Sequence, residues 1–324
     1  MKYFVGFDVG STKTHALIAD EAGRCVGFGK TSGGNYQAVG WDGLKTALRE
    51  SLAAALQRAR IKPDQIAGAG FGVAGYDFPS DRPPHLEVIA TLGLTCPVEI
   101  VNDGVNGLLA GATQGIGVNV TAGSSNNCRG RNARGQEGRI VGNGTFFGEY
   151  GGAMEIVQRG LQLVNYAWIK RRPPTALTRI YLTAVGAKNE LELMEGLSND
   201  RYQLPNALAR QVSAAADSGD AAAVEVMRWA GEELGWLAVA VARQIEMQND
   251  AVEIIQSGSV FDAGKVITEP MAQAVLRHCP LARLIRLDGP PVVGAVMLGM
   301  EQAKFDGYAV RAMMIHSFSS IPAN

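Results

Sequence analysis

Asp8 closes an apolar run, Tyr3-Phe-Val-Gly-Phe7, and opens the turn Val9-Gly-Ser-Thr-Lys-Thr14. A carboxylate placed there suits Mg²⁺ held through water, while the backbone N–H groups of a glycine turn suit phosphate oxygens. Within that turn Gly10 and Ser11 supply the bend, Thr12 a hydroxyl donor and Lys13 a positive charge. The same position equally suits an aspartate that caps its own turn. Later in the chain Thr121-Ala-Gly-Ser-Ser-Asn-Asn127 repeats the pattern after a second apolar run, Gly117-Val-Asn-Val120, with Gly123, Ser124 and Ser125 in the turn. Paired turns of this kind, each after a strand, point to two related halves that hold a nucleotide between them.

Asp103, in Val101-Asn-Asp-Gly104, follows a short apolar strand and precedes a helix. It fits a helix N-cap, and it fits a general base that reaches a substrate hydroxyl in line with a terminal phosphate. Asn35, at the end of Ser32-Gly-Gly-Asn35, carries an amide that can donate to one hydroxyl of a polyol and accept from another. Gly142 to Gly152 is too glycine-rich for routine structure and reads as a ligand loop, with Glu149 as its only carboxylate. Gly258-Ser259 follows the strand Val252 to Gln256 and either lets an adenine lie flat on the backbone or is a plain turn. Ala215 to Asp220 reads as an interhelical turn rather than an adenosine edge. Gly70-Phe-Gly-Val-Ala-Gly75 matches G-x-G-x-x-G, but a dinucleotide site needs a helix immediately afterwards, and Pro83-Pro84 in the following segment oppose a helix start.

The elements that must position these residues alternate between strands and helices. Strands are expected at 3–8, 13–20, 24–30, 66–73, 98–101, 117–120, 252–256 and 283–286. Helices are expected at 41–59 (Leu44, Leu48, Leu52 and Leu56 in register), at 105–113, through most of 153–249, up to His278, and at 291–304. The order predicts an α/β fold. At 324 residues, two domains are expected, 1–115 and 116–324, the second with a helical insertion at about 153–249. The last helix is open to packing back on the N-terminal domain.

Hydrophobic content of 47% and charge of 19% describe a globular chain, and a net charge of −1 gives no footprint for nucleic acid or an anionic membrane. Cys25, Cys96, Cys128 and Cys279 lack CxxC spacing, and the four histidines form no ligand pattern, which opposes a disulfide framework or a zinc site. With no secretory leader and no long apolar span, the cytoplasm is the expected compartment.

On these motifs the chain resembles the BadF/BadG/BcrA/BcrD-type ATPases of the sugar kinase/Hsp70/actin superfamily, and within them the N-acetylglucosamine and glucosamine kinases. The resemblance runs over roughly residues 3–300. It implies two ribonuclease H-like (actin-like ATPase) domains around a nucleotide cleft. It places phosphate motifs on Asp8 to Thr14 and Gly123 to Asn126, an adenosine motif on Gly258-Ser-Val260, and the catalytic aspartate on Asp103. Sugar contacts fall on Asn35, Asn127, Gly142, Asn143, Gly144 and Glu149. The implied reaction is ATP- and Mg²⁺-dependent phosphorylation of the 6-hydroxyl of N-acetylglucosamine. Alternatives are glucosamine or another hexose as acceptor and, in another class, an ATPase that activates a partner reductase. A homodimer is compatible. Two departures stand out: Glu149-Tyr150 where the family has Asp-(Glu/Gln), and Ser125 in place of a glycine.

Overall fold

The computed structural model describes residues 1–321. It opens with β1 (Tyr3–Val9), β2 (Lys13–Asp20) and β3 (Cys25–Ser32), followed by α1 (Tyr36–Ala59), β4 (Ile66–Val73), α2 (Arg82–Ala90), β5 (Val98–Val101) and α3 (Asp103–Gly111). These strands form one sheet in the order β3-β2-β1-β4-β5. The β1–β2 and β2–β3 pairs are antiparallel, while β4 runs parallel to β1 and to β5, so the sheet is mixed.

The pattern restarts with β6 (Gly117–Ala122), β7 (Asn126–Arg131) and β8 (Glu137–Arg139). A helical block follows: α4 (Ala153–Trp168), α5 (Leu177–Val185), α6 (Glu190–Ser198), α7 (Ala209–Asp217) and α8 (Ala221–Gln244). Then come β9 (Glu253–Ser257), α9 (Lys265–His278), β10 (Arg283–Arg286), α10 (Pro291–Gln302) and α11 (Arg311–Phe318). The second sheet has the order β10-β9-β6-β7-β8. Read from its other edge, that is the order of the first sheet, as a duplicated unit requires.

The chain divides into two compact units by its contacts. One holds Met1–Asn119, Arg129–Gln136 and the chain from Ile285 on; the other holds Val120–Cys128 and Glu137–Leu284. The division therefore crosses the chain four times instead of cutting it once.

In the first unit α10 lies directly on the sheet. A Cβ at Gly6 would stand 2.1 Å from Val296 N, and one at Gly70 would stand 2.2 Å from Ala295 O. Gly70, the first glycine of the dinucleotide-like run, thus lets a helix reach the sheet backbone, as Gly6 does on β1. A core of Phe4, Leu17, Val292, Val296 and Met300 seals that face. Phe7, Phe71, Leu44, Leu48 and Leu52 fill the opposite face beneath α1.

The structure corrects two local expectations. Pro83 and Pro84 do not oppose a helix; they occupy the first turn of α2, where the missing N–H has no intrahelical partner to lose. Helix α1 begins five residues earlier than its leucine repeat suggests, with Asn35 as N-cap and a break at Gly40 (φ 71°), a conformation that glycine adopts without strain.

Candidate functional site

Strand register creates the first group of residues. Asp8 pairs with Gly72 and Gly72 with Val101, so the three stand in a row across the carboxyl edge of the first sheet. Past Val101, Asn102 caps α3 by accepting the Gly104 N–H at 2.9 Å. Asp103 is consequently not the cap; it takes the first helical position beside Asp8. One turn further on, Asn106 donates to Asp8 Oδ1 at 2.9 Å and to the Phe7 carbonyl at 3.3 Å. Gly72 makes room for this, since a Cβ there would lie 2.1 Å from Asn106 Nδ2.

Burial pushes the Asp103 carboxyl up to about 7. The neighbouring Asp8 charge adds to the rise, the Arg129 guanidinium opposes it, and Asp77 adds again. Asp8 is also raised by burial, against the Asn106 bond and the charge of Lys13. Arg129 is held by Asp77 at 2.6 Å, and Asn102 donates to the same Asp77 oxygen at 3.1 Å. Three carboxylates and one guanidinium therefore surround the start of α3.

The hairpin between β1 and β2 is closed by Gly10 N–H to Lys13 O at 2.9 Å, and it leaves Ser11, Thr12 and Lys13 exposed. Asn35 lies against it, with Nδ2 3.4 Å from Ser11 Oγ. Its carbonyl oxygen accepts from Gln37 N–H at 3.0 Å, so part of the amide is committed to capping α1.

The second group lies in the other unit. Turn Gly123–Ser125 is closed by Gly123 N–H to Ser125 O at 2.9 Å, and Ala153 and Met154 at the start of α4 donate to the carbonyls of Gly123 and Ser124 at 2.9 and 3.1 Å. Gly258 has φ 96°, and a Cβ there would meet Ala122 O at 2.2 Å, so both its conformation and its contact demand glycine. Gly123, Ser124 and Ser259 line a cavity of about 430 Å³. Its far wall is α7, through Arg210, Ser213 and Asp217. Sequence reading missed this wall, although Arg210, Ser213 and Asp217 recur at the three- and four-residue spacing of one helical face. Asp217 also means that the segment read as a plain turn contributes a residue to the cavity.

Glu149 is 6% exposed and folds the glycine-rich loop around itself. Its Oε1 accepts from Val141 N–H at 2.6 Å, and Oε2 accepts from Gly142 and Asn143 N–H at 2.8 and 2.9 Å. The residue fixes the Gly142–Gly144 turn first; a sugar hydroxyl would be a further bond. Asn127 lies on β7, beside Asn126, whose side chain donates to Glu149 O at 3.1 Å.

Asp8 and Asp103 offer the hard oxygen donors that Mg²⁺ takes. Among the described residues no three His, Cys, Asp or Glu are grouped to hold a metal alone. An ion here would complete its shell with water and phosphate. No helix among the described residues is long and apolar enough to cross a membrane.

Two sheets of one strand order, each with a glycine turn after its first strand, define the actin-like ATPase class of α/β proteins. The chain belongs to the BadF/BadG/BcrA/BcrD ATPase family, whose model matches residues 5–299. It is 23% identical over 304 residues to an N-acetylmuramic acid/N-acetylglucosamine kinase of Clostridium acetobutylicum, covering 93% of this chain and 99% of the relative. A Chromobacterium violaceum structure provisionally described as an N-acetylglucosamine kinase superposes with a TM-score of 0.71 at 24% identity, covering 92% and 99% of the two chains. A ROK family glucokinase from Streptomyces griseus, solved with glucose and AMPPNP, gives a TM-score of 0.60 at 19% identity, covering 92% and 98%. Both structural likenesses are likenesses of fold.

Proposed function

We propose that the protein is an ATP-dependent carbohydrate kinase that transfers the γ-phosphoryl group to the 6-hydroxyl of an amino sugar, N-acetylglucosamine before others. The observation that carries this reading is the placement of Asp103 beside Asp8 on the carboxyl edge of the first sheet, with Asn106 fixing Asp8 at 2.9 Å. One carboxylate accepts a proton while the other has the donor chemistry for hydrated Mg²⁺, which supplies charge neutralisation to the phosphates when bound.

In the reaction the sugar oxygen forms a bond to the γ-phosphorus as the bond from that phosphorus to the bridging oxygen breaks. The electron pair leaves with ADP, and the hydroxyl proton passes to Asp103. A pKa near 7 matches that task, because a base titrating near the working pH is both available and strong enough. Gly10 to Lys13 and Gly123 to Ser125 are assigned to phosphate, and Gly258, Ser259 and the α7 wall to the nucleoside. Asn35, Asn127, the Gly142–Gly144 turn and Glu149 are assigned to the acceptor. The relatives described as amino-sugar kinases support a sugar acceptor, and the ATPase family and the AMPPNP-bound neighbour support the donor. The reductase-activator reading has less support, since Cys128, the cysteine nearest a site turn, is fully buried.

A coupled ADP-release assay across N-acetylglucosamine, glucosamine, N-acetylmannosamine and glucose tests the assignment. N-acetylglucosamine should give the highest kcat/KM, and Asp103→Asn should bind the sugar yet lose nearly all turnover. No sugar-dependent ADP release from any of the four would overturn the amino-sugar reading.

A further inference from the structure

We propose that Asn143–Gly144 is a site of spontaneous deamidation, a covalent modification that the folded turn permits here and that the fold blocks at the other Asn-Gly pair of the chain. The sequence holds this dipeptide twice, at 106–107 and at 143–144. Asparagine before glycine is the most reactive context for this chemistry, because glycine has no side chain to shield its backbone nitrogen from the neighbouring amide.

The reaction needs water alone. The Gly144 nitrogen attacks Asn143 Cγ, so that a Cγ–N bond forms and the Cγ–Nδ2 bond breaks. Nδ2 leaves as ammonia, carrying the proton that the Gly144 nitrogen gives up. Water then opens the resulting five-membered imide. Cleavage of the new Cγ–N bond gives aspartate. Cleavage at the backbone carbonyl instead gives isoaspartate, whose main chain runs through the former side chain and is one carbon longer.

The two pairs differ in what holds the reacting atoms. Asn106 is fully buried, and its Nδ2 is committed to Asp8 Oδ1 at 2.9 Å and the Phe7 carbonyl at 3.3 Å. Gly107 lies inside α3, where its N–H belongs to the helix ladder, and a Cβ on it would stand 2.8 Å from Asn119 Nδ2. Asn143, by contrast, is exposed. It holds the cap position of the short helical turn Gly144–Phe147, yet its side chain makes no capping bond. The Gly144 N–H donates to no acceptor among the described residues. Phe146 and Phe147 are 83% and 52% exposed, so the turn lies uncovered. Gly142, Gly144 and Gly148 take φ of 83°, 55° and 73°, and a segment so rich in glycine rotates at little steric cost. A rotation about the Asn143 Cα–C bond is what brings the Gly144 nitrogen to Cγ. Glu149 restrains it, because Oε2 accepts the Gly142 and Asn143 N–H groups at 2.8 and 2.9 Å. The product sets a second negative charge beside that carboxylate. On the acceptor reading above, on which this consequence alone rests, aged protein therefore binds the sugar less tightly.

The test ages the full chain, without sugar or nucleotide, in mildly acid and mildly alkaline buffer. Trypsin cuts after Arg139 and Arg159, and the peptide between them holds Asn143 as its only asparagine. Mass spectrometry of that peptide should show the gain of an amide-to-acid change, faster at the alkaline pH, with isoaspartate detected by isoaspartate-specific methylation. The peptide that carries Asn106 should show none. The rate at Asn143 should lie within about tenfold of that of the same peptide free in solution, the span of a turn that opens at little cost. Asn143→Gln should abolish the gain, because a six-membered ring closes far more slowly, and Glu149→Gln should speed it by releasing the turn. A folded chain that lags the free peptide by more than that factor, or equal conversion at Asn106, would overturn the proposal. Mass and methylation are read without turnover, so the modification stands or falls apart from the kinase reading. Conversion with unchanged sugar affinity, aged against fresh wild type, would keep the modification and remove Asn143 from the acceptor.

Discussion

The buried Arg129 and the half-buried Asp77 form an ion pair of 2.6 Å, and Asn102 donates to the same Asp77 oxygen. Because Asn102 precedes Asp103 in the chain, this pair fixes the backbone that carries the proposed base. The Arg129 guanidinium also holds Asp103 down against burial and against Asp8 and Asp77. Arg129→Met should therefore raise the Asp103 pKa and move the acid limb of kcat/KM upward. It should also cost about 1.5–3 kcal/mol, because Asp77 loses a charge-assisted hydrogen bond while keeping the one from Asn102. Urea unfolding and a pH–rate profile on the same variant check both effects.

The wild-type profile has its own sign. Asp103 acts only when deprotonated, so kcat/KM should rise with pH through about 7 and flatten above it. Asp8→Asn removes the second-largest cause of the rise, so the Asp103 titration should move down in that variant, opposite to Arg129→Met. Carboxyl ¹³C chemical shifts of Asp103 report this even where turnover is lost. A shift in the same direction in both variants would rule out charge as the link.

Asp103 should also weaken the fold at alkaline pH. Its folded pKa lies above the unfolded value of 3.8, so its contribution to stability is intact below 3.8 and is lost as pH rises through about 7. Asp103→Asn should accordingly be more stable than wild type at pH 8, by on the order of 4 kcal/mol, and the gain should shrink toward pH 5. Denaturant midpoints at the two pH values decide it. A site that gives up stability for a usable base would show this crossover, whereas a plain capping aspartate would lose stability on substitution at both.

Much of this was legible because local chemistry and fold agree. The strands 13–20, 66–73, 98–101 and 283–286 stand where their apolar runs place them, since a short buried strand is written in its own composition. The glycine turns were visible for the same reason. What escaped depends on residues distant in sequence. Arg129 and Asp77 meet across 52 positions, and Arg210 and Asp217 join Ser259 only through the packing of the helical block. Glu149 was found as a residue but not in its role, because a carboxylate encircled by three backbone N–H groups is a property of the folded loop.

Gly258 is the sharpest structural test of the nucleoside assignment. Gly258→Ala would place a methyl 2.2 Å from Ala122 O at a backbone angle of 96°. The variant should lose about 2–4 kcal/mol of stability, as expected of a strained residue that also overpacks. Ala122 leads into the Gly123–Ser125 turn, so affinity for a fluorescent ATP analogue should fall while sugar affinity measured without nucleotide changes little. Equal loss of both would point to general unfolding instead.

Glu149→Gln separates shaping of the loop from direct contact with the acceptor. The carboxylate accepts three backbone N–H groups through two oxygens. A glutamine amide keeps one accepting oxygen and turns an NH₂ toward donors that then have no acceptor. Charge-assisted bonds of this kind are worth about 1.5–3 kcal/mol each, so the Gly142–Gly144 turn should loosen even though the side-chain volume hardly changes. The expected signature is a rise of at least about tenfold in KM for the sugar, with KM for ATP within about threefold, because the nucleotide groups lie on other loops. Faster proteolytic cleavage within 141–149 in the free variant should accompany it, and bound sugar should reverse it. A change in sugar KM without that cleavage would assign Glu149 to direct contact, and cleavage without a change in KM would detach the loop from the acceptor altogether.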